Sequence, residues 1–478
     1  MGPIDYEKIF VTQRFNDEKT NITIDTAFSS DKSRVIFSSS FRRLQQKAQV
    51  FSLEKNPAVR SRLTHTLEVS NTGSIIAKKV AQKLIERGHL DESLRVPFID
   101  ITETCCLLHD IGNPPFGHFG EAAIQRWFRG NWQTVFKAAA LGLEDDGLLA
   151  DHLINDFLYF DGNPQGVRMS LYLQDLPDTY QGIGLNLTFS QILAFVKYNG
   201  DSDEARAGRL KKPGYFHSEG SKIAEVKNFL GWSTRYPITY LMEAADDISY
   251  CMSDIEDGIE KDIITADHFF RELFALWKVQ DLGAFGYDIK TTDLHSRYHF
   301  FRFKVHLTRS LIDRVSSLYV DNEEQIATGQ VGDLLDLDPD SKDALVALKT
   351  YSRKHLFRAP EAEEIELAGY KVIFGLLECF RPLLELPFTK FSLLVHAIDD
   401  VKLLLGKGLD VEWRLFNRLA NKQLAAYRYA IREQSAADPE NFVVKEWFYR
   451  SHLIVDYIAG MTDNFALESY RHLNGIEF

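Results

Sequence analysis

Apolar residues recur at helical spacing along most of this 478-residue chain. The pattern is clearest over residues 66–90, where apolar positions follow one another every three or four residues and strand-like alternation is scarce. It also predicts helices over residues 99–112, 237–258, 297–318, 367–380, 414–432 and 445–459. The glycine and prolines of 112–115 should end the helix before them, and Pro237 suits a first helical turn. We therefore predict an all-α fold.

Two segments have a weaker pattern. Residues 142–220 contain scattered glycine and proline, and residues 320–345 are rich in aspartate, so we predict a surface connection for the second segment. The N-terminus lacks a charged start followed by an apolar run, and no stretch approaches ~18 uninterrupted apolar residues. The sequence therefore predicts neither a signal peptide nor a membrane span.

Composition narrows the class of protein. The formal charge of −13 argues against a surface that coats nucleic acid, although a local basic groove stays compatible with it. The four cysteines include the adjacent pair Cys105-Cys106 and contain no C-x-x-C spacing. A zinc ribbon or a disulfide framework is therefore not expected, and we predict a reducing, cytoplasmic location.

Candidate metal ligands are dispersed along the first half of the chain: His65, the pair His109-Asp110, and Asp246. This mixed nitrogen and oxygen set suits Mg, Mn, Fe or Ni better than a thiolate-preferring ion, and such sites usually activate water for hydrolysis. Adjacent residues on a helix point about 100° apart, so one ion could contact both His109 and Asp110 only at the helix end. The alternative is a buried histidine beside a helix-ending aspartate.

The last ligand has two candidates. Asp246, Tyr250 and Asp254 are spaced four residues apart and share one helical face, whereas Asp247 points away from that face. We therefore favour Asp246 as the ligand, with Asp247 as a supporting acid or, alternatively, as the ligand itself.

A second candidate pair, His118 and Glu121, follows the Pro-Pro-Phe-Gly turn. On one helical turn both side chains would face the same side, and a carboxylate bonded to an imidazole fixes its tautomer and suits it to proton transfer. The alternative is a helix N-terminus with a favourable acid in its first turn.

The run from His109 to Glu121, HDIGNPPFGHFGE, resembles the bacterial dGTP triphosphohydrolases among the HD-domain phosphohydrolases. The stretches 41–45, 243–250 and 456–463 resemble the same family, so the likeness extends from about residue 40 to the C-terminus. It implies an HD-domain helical core over residues 1–280 and a mostly helical region over 281–478 that completes the substrate pocket and makes subunit contacts. It also implies metal ligation by His65, His109, Asp110 and Asp246, and catalysis by His118 and Glu121.

The resemblance implies hydrolysis of dGTP to deoxyguanosine and inorganic triphosphate, by attack of water at the α-phosphorus. The cofactor would be a divalent metal, with Mg or Mn favoured and Fe, Ni or Co as further candidates. His118 would act as general acid or, alternatively, more directly in nucleophilic attack. The alternative functions are a broader dNTPase, another HD-type nucleotide hydrolase, and a non-enzymatic regulatory assembly that binds single-stranded DNA.

The resemblance also implies substrate contacts. Arg62, three residues before His65, would reach a bound phosphate. Tyr250 would lie beside the sugar, and Asp254 would be a further substrate contact. The other implied contacts are to the triphosphate (Asn163, Lys197, Tyr198 and Lys212), to the base (Gln49 and Val50), and to guanine across a subunit boundary (Glu366). Taken alone, each lysine is better explained by a solvated surface position.

Members of this family are commonly hexamers, and some respond to single-stranded DNA. We therefore expect a homo-oligomer. The aromatic and basic stretch 297–304 could stack bases, although aromatic residues at helical spacing more often lie in a core.

Overall fold

The computed structural model of the protein describes residues 2–16, 22–141, 147, 149–277, 297–396, 401–437 and 441–476. Within these ranges no β-strand forms, and pairing of extended backbone is limited to one antiparallel bridge between Ala48 and Ser61. The predicted all-α fold is confirmed.

The helices of the described residues, in chain order, are α1 (Tyr6–Ile9), α2 (Ile24–Ile36), α3 (Ser39–Arg43), α4 (Arg62–Glu86), α5 (Arg95–Leu108), α6 (Gly117–Ala139), α7 (Asn155–Leu158), α8 (Gly162–Tyr172), α9 (Phe189–Phe195), α10 (Ser202–Arg206), α11 (Gly220–Leu230) and α12 (Pro237–Glu260). They continue with α13 (Ala266–Leu276), α14 (Arg297–Asp321), α15 (Glu323–Ala327), α16 (Pro339–His355), α17 (Pro360–Glu385), α18 (Phe388–His396), α19 (Val401–Gly406), α20 (Asp410–Phe416), α21 (Asn421–Ala437), α22 (Phe442–Ala459) and α23 (Asp463–Leu473).

The chain forms two compact units, and each is built from separate stretches of sequence. The first unit comprises Met1–Ile111, Leu187–Asn199 and Ser221–Ile365, and the second comprises Gly112–Asn186, Gly200–Gly220 and Glu366–Phe478. The predicted division after residue 280 falls within 278–296, outside the described residues, and remains a prediction.

The core of the first unit is built on α4, α5 and α12, which pack against one another. Val69, Ile76 and Val80 are fully buried on α4, at the spacing that predicted this helix. Helix α2 covers α5, and α14 and α16 pack on α12. The helices that carry His65 and Asp246 therefore lie side by side.

The second unit packs α6 against α7 and α22, and α21 against α22. A buried ion-pair network joins its distant segments. The Arg168 guanidinium donates to Asp456 Oδ2 at 2.8 Å and to Glu219 Oε1 at 3.0 Å, and all three side chains are at most 6% exposed. Burial raises the pKa of Glu219 to about 7, although Arg168 acts to lower it.

One predicted helix is divided into two in the structure. Residues 414–432 do not form one helix, because α20 ends at Phe416 and α21 begins at Asn421. Leu419 is buried in the turn between them, so the apolar periodicity continues where the backbone does not.

Residues 320–345 are not a plain surface connection. They contain α15 and the start of α16, and Ile326 and Leu334 are buried. Their aspartates have structural uses: Asp338 caps α16 by accepting from Ser341 N and also pairs with Arg314 at 2.5 Å.

None of the helices in the described ranges combines the length and the apolar composition needed to cross a membrane.

Replacing Arg168 with methionine should lower the free energy of unfolding by about 3–5 kcal/mol, because two buried carboxylates lose their cation. Urea denaturation followed by circular dichroism measures this. Arg209→Ala is the matched control, since the Arg209–Glu204 pair is exposed and its removal should leave the midpoint unchanged. Equal midpoints for Arg168→Met and the wild type would contradict the role of the network.

Candidate metal centre and catalytic pair

His65 lies in the first turn of α4, where a capping box fixes the start of the helix. Ser61 Oγ accepts from Thr64 N, and Thr64 Oγ1 accepts from Ser61 N. The His65 side chain is 1% exposed, and its Nε2 lies 3.3 Å from Asp246 Oδ1. By fixing where α4 begins, the cap directs the His65 side chain into the core.

His109 follows the last residue of α5, so the helix ends earlier than the predicted 99–112. His109 Nδ1 lies 2.7 Å from the Cys106 carbonyl oxygen, which can only accept, so the proton is assigned to Nδ1. This contact leaves the Nε2 lone pair free for a ligand, as is usual for metal-binding histidines.

Two carboxylates converge on His109 Nε2. Asp110 Oδ2 and Asp246 Oδ1 each lie 3.6 Å from it. Candidate ligand atoms of His65, His109 and Asp110 all lie within 4.8 Å of one another. The structure therefore brings together the dispersed residues that the sequence singled out.

These residues fit a divalent cation. His109 Nε2 is buried without a hydrogen-bond partner among the described residues, although it faces two carboxylate oxygens. Burial acts to raise the pKa of Asp110, but Arg62 and the nearby imidazoles lower it to about 2. Burial likewise opposes ionisation of Asp246, but His109, His65 and Lys197 hold its pKa below the usual range. Both carboxylates are therefore anionic at neutral pH, and a divalent cation bound between them and His109 Nε2 would satisfy all three groups.

Of the two candidate aspartates on α12, Asp246 is the one near the imidazoles. Asp247 instead accepts from Lys349 Nζ at 2.9 Å. Because the two residues are adjacent on α12, their side chains point in different directions and have different neighbours.

The second unit holds the other predicted pair. His118 Nδ1 lies 2.7 Å from Glu121 Oε2, and Glu121 Oε1 accepts from Gly162 N at 2.8 Å. Burial acts to raise the pKa of Glu121, but the bond to His118 lowers it below its usual value, so the carboxylate stays ionised. The His118 side chain is 81% exposed, so its imidazole can be reached from solvent.

The predicted triphosphate contacts fall in both units. In the second unit, Asp161 accepts from Asn163 Nδ2 at 2.5 Å and pairs with Lys212 Nζ at 2.5 Å. In the first unit, Nζ of the half-buried Lys197 lies 3.7 Å from Glu243 Oε1. Tyr198, next to Lys197, is half-buried.

Arg62 donates from Nη1 to Asp110 Oδ2 at 2.6 Å, so its guanidinium adjoins the ligand cluster. Burial alone would lower the pKa of Lys197, but Asp246 and Glu243 raise it, and the ammonium remains charged. Two cations of the first unit thus stand close to the candidate metal ligands.

The predicted sugar contact Tyr250 and the predicted substrate contact Asp254 occupy consecutive turns of α12. Tyr250 is half-buried, and Asp254 is fully buried. Neither carboxylate oxygen of Asp254 meets hydrogen-bond geometry with a described residue, although the Tyr250 hydroxyl is near enough to act on its pKa. Burial is the larger effect and raises the pKa of Asp254 to about 8.

The predicted base contacts have different surroundings. Val50 packs on a small cluster that contains Phe51 and Val59, and the neighbouring Gln49 Oε1 is buried with no partner in the described part of the chain. Glu366 is half-buried on α17 in the second unit.

Sequence reasoning missed Asp161 and Lys349, which hold predicted functional side chains. Asp161 had a usable signal, because an aspartate before Gly-Asn-Pro is typical of a helix N-cap, and it does cap α8. Lys349 had none, since its partner Asp247 lies 102 residues away.

Comparison with protein families gives two matches. Residues 62–147 match the HD domain, and residues 415–472 match the phosphohydrolase-associated domain. The first match contains His65, His109, Asp110, His118 and Glu121. Together the matches support an HD-type phosphohydrolase that depends on a divalent metal, without specifying its substrate.

Asp246→Asn should lower the affinity for Mn²⁺ by more than about 100-fold, since supporting residues alone contribute roughly 10- to 100-fold. Asp247→Asn, its neighbour on α12, should have a smaller effect because its carboxylate faces Lys349. Isothermal titration calorimetry of the two variants and the wild type measures the difference. A larger loss for Asp247→Asn would reverse the assignment.

Proposed function

We propose that the protein is a metal-dependent dGTP triphosphohydrolase, which releases deoxyguanosine and inorganic triphosphate. The observation that carries the hydrolytic part is the buried Nε2 of His109, which has no hydrogen-bond partner in the described ranges and faces the ionised carboxylates of Asp110 and Asp246. A group so arranged binds a hard divalent ion through nitrogen and oxygen donors, with Mg or Mn favoured. Fe, Ni or Co would be accepted by the same donors.

A divalent ion held by these residues would lower the pKa of water and neutralise phosphate charge. In the proposal, His118 delivers a proton to the 5′ oxygen as the bond to the α-phosphorus breaks. Glu121 is buried and ionised, and it bonds to His118 Nδ1. It therefore holds a proton on Nδ1 and stabilises the imidazolium that forms when Nε2 is also protonated. A role of His118 as nucleophile is the other assignment for the same side chain.

Three positively charged side chains favour a substrate with several negative charges. Arg62 and Lys197 are charged groups beside the ligand cluster, and Lys212 is a charged group held by Asp161. Salt-bridged cations in fixed positions bind phosphate oxygens with little loss of side-chain freedom. We assign Asn163 and Tyr198 as further triphosphate contacts.

The preference for a deoxyribose and for guanine is the finer part of the proposal. Tyr250 is assigned to exclude a 2′ hydroxyl sterically, and Asp254 to bond a sugar hydroxyl. The unpartnered Gln49 Oε1 can accept from a purine amino group, and Val50 can pack on the base. Glu366 of a neighbouring subunit would accept from guanine N1–H and N2–H.

Assembly, DNA binding and location also remain proposals. The family resemblance implies a homo-hexamer, and the cysteine pattern implies a cytoplasmic location. On α14, Phe300 and Phe303 lie in the core, whereas Tyr298 and Phe301 are more than half exposed. Only the exposed pair could stack on single-stranded DNA, so that interaction would use part of the predicted stretch.

The test is a panel of the four deoxynucleoside and four ribonucleoside triphosphates, each incubated with Mn²⁺ or Mg²⁺ and followed by phosphorus NMR. The proposal expects tripolyphosphate from dGTP at the highest rate. Tripolyphosphate from all deoxynucleotides at similar rates would establish a broader dNTPase. Orthophosphate or pyrophosphate as the first product would exclude attack at the α-phosphorus.

His118→Ala should lower kcat for dGTP by about 100- to 10,000-fold, because the leaving oxygen loses its proton donor. Mn²⁺ affinity should not change, since no proposed ligand is altered. His152→Ala is the control, because His152 also bonds a carboxylate, Asp203, in the second unit. Normal turnover in His118→Ala would remove this residue from the mechanism.

Tyr250→Ala should raise the kcat/KM ratio of GTP to dGTP by at least about 10-fold, because the ring that blocks a 2′ hydroxyl is gone. Competition between the two nucleotides, with product analysis, gives this ratio. Tyr298→Ala, at an exposed tyrosine of the first unit, should leave it unchanged. An unaltered ratio in Tyr250→Ala would show that another group selects the sugar.

A further inference from the structure

The helix that carries His118 begins from a turn in the left-handed region of backbone space. Phe116 has φ 61° and ψ 20°, and Gly117 has φ 54°. Glycine adopts this conformation readily, but a bulky residue with positive φ is a strained exception that persists only where its surroundings enforce it. Phe116 is 7% exposed, so the strain lies in the interior of the second unit.

Asp463 bonds directly to this turn. Phe116 N donates to Asp463 Oδ1 at 3.1 Å, and Asp463 is 2% exposed at the first position of α23. Phe116 N is a buried backbone donor, and the loss of its acceptor would leave it without a hydrogen bond in the interior, which is unfavourable. The carboxylate therefore stabilises a backbone conformation that the Phe116 side chain disfavours.

Gly369 of α17 lies against the side chain of Phe116 and restricts its position. A Cβ atom at position 369 would lie 2.4 Å from Phe116 Cγ and 2.6 Å from Phe116 Cβ. The ring thus packs on bare helix backbone, and no larger residue fits at 369 without moving Phe116. Two segments distant in sequence, α17 and α23, fix the one strained residue before α6.

We propose that Asp463 is a positioning residue for His118. It holds the Phe116 backbone in the left-handed region, and this sets where α6 begins and in which direction its first turn presents the imidazole. The first turn of α6 carries His118, whose ring is 81% exposed and bonds to Glu121. A shift of this turn would therefore move the imidazole. The inference rests on the catalytic role proposed for His118 and assigns a task to the segment that matches the phosphohydrolase-associated domain.

The primary experiment compares Asp463→Ala with Asp463→Asn in the full-length protein. Asp463→Ala should lower kcat for dGTP by about 100-fold, the scale expected from displacing a catalytic group by 1 Å. KM and Mn²⁺ affinity should stay near the wild-type values, because the proposed ligands His65, His109 and Asp246 lie in the first unit. Asp463→Asn keeps an acceptor for Phe116 N and should retain most of the activity.

Thr462→Ala separates positioning from the stability of α23. Thr462 caps that helix by accepting from Phe465 N, so its loss weakens the same helix without removing the acceptor for Phe116. A rescue variant completes the set: Phe116→Gly combined with Asp463→Ala should recover part of the lost kcat, because glycine needs no help to adopt positive φ. Thr462→Ala should keep wild-type kcat.

Hydrogen exchange of residues 112–121, measured by mass spectrometry, tests the inference without turnover. Asp463→Ala should speed exchange there, and Thr462→Ala should not. If the wild type fails to hydrolyse dGTP, the proposed function fails, and the exchange comparison still decides the role of Asp463. Unchanged exchange in Asp463→Ala, or an equal loss of kcat in Thr462→Ala, would overturn the inference.

Discussion

The convergence of two imidazoles and two carboxylates in the interior of the first unit is the constraint on which the candidate site depends. His109 Nε2 faces Asp110 and Asp246 at 3.6 Å, and the bond from His109 Nδ1 to the Cys106 carbonyl oxygen fixes the orientation of the ring. Burial keeps most of the water away from these groups, so their charges act on one another more strongly than they would at the surface. A divalent cation bound by these nitrogen and oxygen atoms would balance the two carboxylates, which is why protein atoms alone support the chemistry proposed for the site.

The second unit uses a different method to fix its functional groups. Two of its carboxylates each have two partners: Glu121 accepts from both His118 and Gly162, and Asp161 from both Asn163 and Lys212. Two bonds to one carboxylate restrict its rotamer. Groups arranged in this way need little reorganisation when charge develops in a reaction.

The sequence alone predicted the all-α fold and the helices of His65 and Asp246, because α4 and α12 have strong apolar periodicity and clear starting residues. Periodicity did not show that α5 stops at Leu108, since Ile111 beyond the helix end is also buried. The same periodicity predicted one continuous helix across the turn at Leu419, where the structure has two helices. Lys349 depends on a contact between distant segments, and a local pattern contains no information about that distance. Asp161, by contrast, had a local signal as the N-cap of α8.

The ligand cluster also links metal supply to the amount of folded protein. His65 and Asp246 are 181 residues apart and belong to different helices, so an ion bound by both would cross-link the core of the first unit. Any ligand that binds only the native state adds its binding free energy to stability, and chains that open more often are removed faster by cellular proteases. Scarcity of the ion would then reduce abundance as well as turnover rate, and the concentration of the protein would follow the metal content of its surroundings.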